Sequence, residues 1–335
     1  MSTPLSLRVL VRPAHLVFAF ALCLAAARLS AAAGTTYGNG GALWDPHSQR
    51  VTIEAENFDA DGEGAAYHDH DGRRAGATLR PTEGVDLGAF TTVTESGVMV
   101  NSIVAGEWLR YSARVLTTAR FRLRLRVANS GAAIANAITV SWKDAPLGSA
   151  LTVPTTGGST EFAEVVLDEV ILTVGPDALK VSFAAGGFNF DAIIVEQLGP
   201  LHYADWIQEY FPGGPPEQIS RDADPDGDGL NNLMEYALLL PPNFPYTRSF
   251  GGVWTDPGTG TQYLAIGYTV GNDAHIVAEI STDLVNWSSG QADIIGYGFL
   301  KHTIDGLYTS GTKRSTIPLG QQPRQFVRLR VTLPP

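Results

Sequence analysis

The densest oxygen chemistry in the sequence lies in Asp224-Pro225-Asp226-Gly227-Asp228-Gly229-Leu230-Asn231-Asn232-Leu233-Met234-Glu235. Counted from Asp224, carboxylates stand at positions one, three and five, a backbone carbonyl (Leu230) at seven, Asn232 at nine and Glu235 at twelve. Such hard oxygen donors suit calcium: Gly229 at position six allows a sharp turn, and Glu235 can coordinate through both oxygens as a helix begins. Three carboxylates this close repel one another unless a cation sits between them. A second pair, Glu54 and Glu56 in Ile53-Glu54-Ala55-Glu56-Asn57-Phe58, is spaced two apart. On a strand both side chains point to one side, where like charges need a partner.

Short strands must position these groups. In Arg120 to Val127, Phe121, Leu123, Leu125 and Val127 alternate with Arg120, Arg122, Arg124 and Arg126, the period-two pattern of a strand with one buried face. Trp108 to Val115 behaves similarly. Further candidates are Val51–Ala55, Ala137–Trp142, Glu164–Leu167, Ala178–Phe183 and Asp191–Val195, separated by Gly-, Asp- or Pro-containing turns. This spacing predicts an antiparallel sandwich. After Gly199-Pro200, Tyr203, Trp206, Ile207 and Tyr210 recur at helical spacing. A second helical run, Asn231 to Leu240, follows the acidic loop and ends at Pro241-Pro242, with Leu233, Tyr236 and Ala237 expected to face a neighbouring domain. Strand patterns return in Tyr263–Thr269, Ile276–Ile280 and Gln325–Leu333.

The expected fold class is therefore all-β: a calcium-binding β-sandwich at 34–198, a short helical calcium-loop linker at 199–245 and a small C-terminal β-domain at 246–335. Residues 1–33 read as an export signal, because Arg8 and Arg12 precede an apolar run from Leu16 to Ala27 and Ala31-Ala32-Ala33 offers small residues for cleavage. The run is short for about 30 Å of hydrocarbon, so no membrane insertion is expected after cleavage and the protein is expected to be secreted, extracellular or at the cell surface. The only cysteine, Cys23, lies in that segment, so the rest of the chain can form no disulfide. Net charge is −11, and the signal's three arginines, unopposed by any acid, leave −14 without it. A surface this acidic disfavours nucleic acid.

Six motifs then occur in order: Ile53 to Phe58; Gly64-Ala65-Ala66-Tyr67-His68-Asp69; Glu83-Gly84-Val85-Asp86; Ala105-Gly106-Glu107-Trp108-Leu109-Arg110-Tyr111; Thr152-Val153-Pro154-Thr155-Thr156-Gly157-Gly158; and Gly186-Gly187-Phe188-Asn189-Phe190-Asp191. In this order they resemble family 6 carbohydrate-binding modules over about Tyr37 to Gln197. The resemblance implies a jelly-roll sandwich with a structural calcium held by Glu54, Glu56, Asp191 and backbone carbonyls, and a sugar cleft in the loops at one edge. The twelve-residue loop follows the EF-hand pattern and resembles the half-sites of dockerins. Residues 281–287 resemble C-terminal domains of large secreted proteins of environmental bacteria.

In the implied cleft Asn189 matches the family's hydrogen-bonding Asn, and two aromatic platforms would sandwich a sugar ring. This sequence departs at both platforms, with Leu79 before Arg80 where the family commonly has Tyr, and Ser159 where it has Trp. The candidate sugar residues are therefore Asn189, Glu63, Tyr67, Arg80 and Phe162, with Tyr67, Phe162 and Phe188 as replacement aromatics or core. His68 and His70 have His-x-His spacing, which fits either solvated histidines or a metal pair. The arginine row admits two readings, a solvated face balanced by neighbouring acids or a site for acidic polysaccharide. No nucleophile elbow, phosphate loop or cysteine nucleophile outside the signal is present, so no catalytic residues and no enzyme are expected. The expected cofactor is calcium and the expected partner a polysaccharide or oligosaccharide. The alternative is a surface or scaffold protein with a degenerate sugar module, contacting another protein through its C-terminal domain.

Overall fold

A computed structural model describes residues 34–37, 44, 50–70, 79–271, 273–297, 301–302 and 309–333, with backbone alone at 301, 302 and 309. The expected signal at 1–33 lies outside the described residues. The chain divides into two compact units, one ending at Gly199 and one running from Pro200. No helix among the described residues is long and apolar enough to cross a membrane.

The first unit is a β-sandwich with strands β1 (Arg50–Glu54), β2 (Tyr67–His68), β3 (Leu87–Thr91), β4 (Ser96–Val100), β5 (Trp108–Val115), β6 (Ala119–Ala128), β7 (Ile134–Trp142), β8 (Ala145–Pro146), β9 (Leu151–Val153), β10 (Phe162–Leu172), β11 (Gly175–Phe183) and β12 (Asn189–Gly199). One antiparallel sheet runs β10-β6-β12-β4-β3 with β1 also on β12; the other runs β2-β5-β11-β7-β8 with β9 also on β7. This is the all-β jelly-roll sandwich expected. Phe121, Leu123, Leu125 and Val127 of β6 are fully buried, as are Leu109 and Tyr111 of β5 and Ile193 of β12 or nearly so, because strand alternation sends every second side chain into the space between the sheets.

The alternate face of β6 is neutralised. Arg120 pairs with Glu169, Arg122 with Asp168, Arg124 with Glu164 and Glu196, and Arg126 with Asp191 and Glu95. Most of these acids come from the flanking β10 and β12, reached diagonally across the ladder or at its register shifts. The solvated, balanced face is thus the arrangement found; among the described residues no unbalanced basic stripe is offered to an acidic glycan.

The second unit carries three short helices among its described residues, α1 (Tyr203–Tyr210), α2 (Pro216–Ile219) and α3 (Asn232–Leu238), followed by β13 (Gly251–Thr255), β14 (Gln262–Val270), β15 (His275–Ser281), β16 (Ile294–Gly296), β17 (Lys301–His302), β18 (Thr309–Pro318) and β19 (Phe326–Thr332). One sheet runs β13-β14-β18-β16 with β17 on β18, and β15 pairs with β19. Leu230, Met234 and Leu238 share one core with Leu264, Ile266, Ala278, Ile280, Ile294, Val327 and Leu329. The face expected from Leu233, Tyr236 and Ala237 is corrected here: Leu233 is half-buried, and Met234 and Leu238 meet the strands. Tyr236 turns instead to Tyr203 and Trp206 of α1, and its hydroxyl donates to Leu201 O and Asp273 Oδ1. The offset is one helix position, about 100° on the helix wheel.

Candidate functional site

The residues expected to touch sugar at the edge of the sandwich are differently disposed. Arg80, which has φ +54°, is 5% exposed. Its guanidinium donates to the carbonyls of Glu56, Phe58 and Asp59, pairs with Glu83 and lies over the Phe58 ring. All its directional donors are committed inward, so Arg80 braces the chain after β1 and is not a sugar-facing donor. Tyr67 is likewise corrected. It is 4% exposed, packs edge-on to Phe58 at 5.3 Å, and its hydroxyl accepts from Gly84 N at 3.0 Å. Phe188, weighed as a third replacement, is buried against Phe183.

Phe162 is half-buried, with Phe90 at 4.9 Å and the Arg126 guanidinium 4.4 Å above its ring, so its faces already have neighbours. Asn189 Nδ2 donates to Ser159 O at 2.7 Å. This bond ties the last turn to the 157–160 loop and leaves the side-chain oxygen of a partly exposed Asn as the polar group at that edge. The edge therefore brings Asn189 and Phe162 near Ser159 but supplies no open aromatic platform from the predicted set.

Glu63 belongs to a different surface. Its Oε1 lies 2.5 Å from His68 Nδ1 and its Oε2 accepts from Asp69 N at 3.1 Å. His68 is opposite Trp108 in the β2–β5 ladder, and Trp108 is opposite Ser182 in β5–β11. Paired residues share a face, so His68, Trp108, Ser182 and, two positions along, Lys180 and Arg110 line the outer face of this sheet. Trp108 is half-buried, its ring centroid 6.5 Å from His68, with Lys180 Nζ 4.2 Å over the indole. Glu107 beside it accepts from His70 N and Val104 N. An indole flanked by a His and a Lys side chain, with Glu63 bonded to the His, combines what a sugar needs, a flat apolar surface for C–H groups and polar groups for hydroxyls. The sequence held this signal in Gly106-Glu107-Trp108, but the neighbours that make it a site come from three strands far apart in the chain. His68 and His70 are 6.4 Å apart between ring centroids, at 86°.

Two carboxylate groups remain. In the sandwich, burial raises Glu54, and Glu95 adds to that while Arg126 opposes it. Burial pushes Glu56 up to about 7, with Glu54 and Asp191 adding repulsion, and pushes Asp191 up to about 6 against the pull of Arg126. Glu56 Oε2 is buried without a hydrogen-bond partner. The orphaned oxygen and the mutual repulsion are what a divalent ion would relieve, although the three carboxylates do not all converge within 4.8 Å of one another. One oxygen of Asp191 is already taken, accepting from Arg126 at 2.8 Å.

In the second unit, Asp224, Asp226 and Asp228 have carboxylate oxygens within 4.8 Å of one another, the one such group of three among the described residues. Leu230 and Asn232 are buried beside them and Glu235 is fully buried on α3. Burial pushes Glu235 up to about 9, and Asp226, Asp228 and Asp224 all push the same way.

Residues 76–197 match the carbohydrate binding module of family 6. Glu54, Glu56, Glu63 and Tyr67 precede the matched segment, which contains Arg80, Trp108, Phe162, Asn189 and Asp191. No curated protein matches the chain. Among solved structures, the chain is similar to the C-terminal family 6 module of a marine laminarinase from Zobellia galactanivorans at 19% identity, covering 44% of this chain and 98% of that one, with TM-score 0.33. A module from Cellvibrio mixtus lichenase 5A, in complex with cellotriose, is 22% identical over 44% of this chain and 95% of that one, TM-score 0.33. A β-1,3-glucan-binding module from Bacillus halodurans is 19% identical over 46% and 99%, TM-score 0.33. The family 6 module is a binding module, and no catalytic domain is matched elsewhere in the chain.

Proposed function

We propose that this chain is a secreted, non-catalytic polysaccharide-binding protein whose sugar contact centres on the outer sheet face around Trp108. The observation that carries the reading is the family 6 match across 76–197, which spans β5 and β11, the strands that present Trp108 and Lys180. The indole would take the apolar face of a sugar ring once Lys180 swings aside, while Lys180, His68 and Glu63 would bond hydroxyls. Export is supported by the signal-like character of residues 1–33.

Glu54, Glu56 and Asp191 would hold a calcium ion in the sandwich. When bound, it would offset their repulsion and cross-link the end of β1 to β12; Arg80 and Arg126 position the two segments. The role is structural, since the ion would lie on the sheet opposite to Trp108.

A second reading, a scaffold protein with a degenerate sugar module, draws support from the inward turn of Tyr67 and Arg80 at the edge. Affinity electrophoresis of the full chain through gels of neutral and acidic polysaccharides separates the two. Retardation by at least one polymer is expected. Unchanged mobility in every gel would sink the glycan reading and favour the scaffold.

A further inference from the structure

Gly34 lies against two carboxylates of the sandwich. Gly34 N donates to Ser112 Oγ at 2.7 Å, and Ser112 Oγ donates in turn to Asp59 Oδ2 at 2.7 Å. The next residues are tied down as well: Thr35 N donates to Asp61 Oδ2 at 2.6 Å, Ala60 N donates to Thr35 O at 2.7 Å, and Thr36 is buried. A Cβ on Gly34 would run into Asp61 Oδ2 and stand 2.8 Å from Asp59 Oδ2, so a side chain here would push both carboxylates aside. Gly34 N, about 2.5 Å from that Cβ position, is thus within about 5 Å of both.

Asp59 is 1% exposed. Burial raises its carboxyl above the ordinary value, and Asp61 adds to this while Ser112 and Arg110 oppose it. Among the described residues no Lys or Arg forms an ion pair with Asp59; Arg110 pairs with Asp177 instead, at 4.0 Å. A buried carboxylate without a counter-charge is costly. A cation at Gly34 N would supply one.

The sequence offers that cation. Ala31 and Ala33 put small residues at the third-last and last positions before Gly34, as a signal peptidase requires, although neighbouring bonds satisfy the same rule. The structure separates these bonds. A cut one residue earlier leaves Ala33 ahead of Gly34 and moves the new amine away by one residue, and a cut one residue later removes Gly34. An α-amine, with an ordinary pKa of about 8, is cationic at neutral pH. Its three donors suit Ser112 Oγ, Asp59 and Asp61.

We propose that the chain is processed at the bond between Ala33 and Gly34, and that the new Gly34 ammonium docks between Asp59 and Asp61 as their counter-charge. Hydrolysis adds water across the amide, leaving a carboxylate on Ala33 and an amine on Gly34 that takes the proton of the new carboxyl. The precursor has an uncharged amide at this position, so the sandwich reaches full stability only after cleavage. The proposal rests on the export reading and is independent of the glycan reading.

The test is to express the full precursor in a secreting bacterial host, sequence the N-terminus of the exported chain and follow its thermal unfolding. Wild type should begin at Gly34. Insertion of one Thr between Ala33 and Gly34 should leave that Thr at the terminus, because the cut follows a small residue, and lower the unfolding midpoint of the sandwich by about 5 °C or more. Asp59→Asn and, at an exposed position, Asp61→Asn should each lower the wild-type midpoint but hardly change that of the Thr-insertion chain. A merely structural Asp59 would give additive losses. Additive losses, or a terminus at another residue, would overturn the proposal and leave export standing. A chain retained uncut would overturn both. Loss of glycan retardation with the Gly34 terminus and the coupling intact would count against the sugar reading alone.

Discussion

The sandwich presents two candidate surfaces for sugar, and they differ in what the fold has already done with their side chains. At the loop edge, Arg80 is tied to three carbonyls, Tyr67 to Gly84, and Phe162 lies between Phe90 and Arg126. On the sheet face, Trp108 is half-buried and is approached by Lys180 and His68, which are long or exposed enough to move. A residue type that suits a ligand is not enough; its hydrogen-bonding capacity and its ring faces must be left over after folding. Both rings carry a cation, but the Arg126 guanidinium over Phe162 is pinned by Glu95 and Asp191, whereas Lys180 over Trp108 sits on a flexible stem; on that difference the sheet face is the better candidate, and the edge is largely architecture with Asn189 at its rim.

The largest effect expected from breaking this comparison is at Arg80. Arg80→Met leaves the Glu56, Phe58 and Asp59 carbonyls and Glu83 without their donor, and should destabilise the sandwich by about 3–5 kcal/mol, read by denaturant unfolding of the full chain. A loss below about 1 kcal/mol together with lost glycan retardation would return Arg80 to the list of sugar ligands. The smallest effect is expected on the arginine row. Arg122 and Arg124 pair with half-exposed acids, whose attraction is largely screened by solvent, so Arg122→Ser with Arg124→Ser should leave the denaturant midpoint close to wild type and retardation in uronate or sulfated polymers unchanged. Weaker retardation in those polymers would show that ion pairing does not exhaust this face.

Much of the scaffold was legible because its signals are local. The alternation at Phe121, Leu123, Leu125 and Val127 needs only neighbouring residues to be read, and all four are buried as expected. Trp108–Val115 was bounded correctly for the same reason. The short strands β2, β8, β9, β16 and β17 were missed, and so were the longer β3, β4, β13 and β18: Ser96-Gly97-Val98 and Thr309-Ser310-Gly311-Thr312-Lys313, for instance, lack an alternating apolar face, and these segments pair through neighbours that supply the hydrophobic side. The loop carboxylates were legible as a donor pattern because their spacing repeats at one, three and five, whereas Asp191 was joined to Glu54 and Glu56 only through the family resemblance. What the spacing could not reveal was which donors the fold would leave unsatisfied, and in the loop that was Glu235, Asp226 and Asn232. Arg80 was misread because its partners are backbone carbonyls 21 to 24 residues away, and backbone acceptors have no sequence signature.

The carboxylate groups extend the same lesson. Asp191 has Arg126 as a counter-charge supplied by the adjacent strand, whereas Glu235 has three carboxylates and no guanidinium acting on it. A built-in cation offsets carboxylate repulsion, so of the two groups the loop is the one whose acids are left without a counter-charge.

The most direct measurement of the central claim sets Trp108→Ala beside Asn189→Ala on the same polysaccharide gels, using whichever polymer retards the wild type. Retardation should fall by about tenfold or more for Trp108→Ala, equivalent to about 1.4 kcal/mol, and stay close to wild type for Asn189→Ala. Full retention by Trp108→Ala with loss in Asn189→Ala would contradict the account and place the sugar at the loop edge.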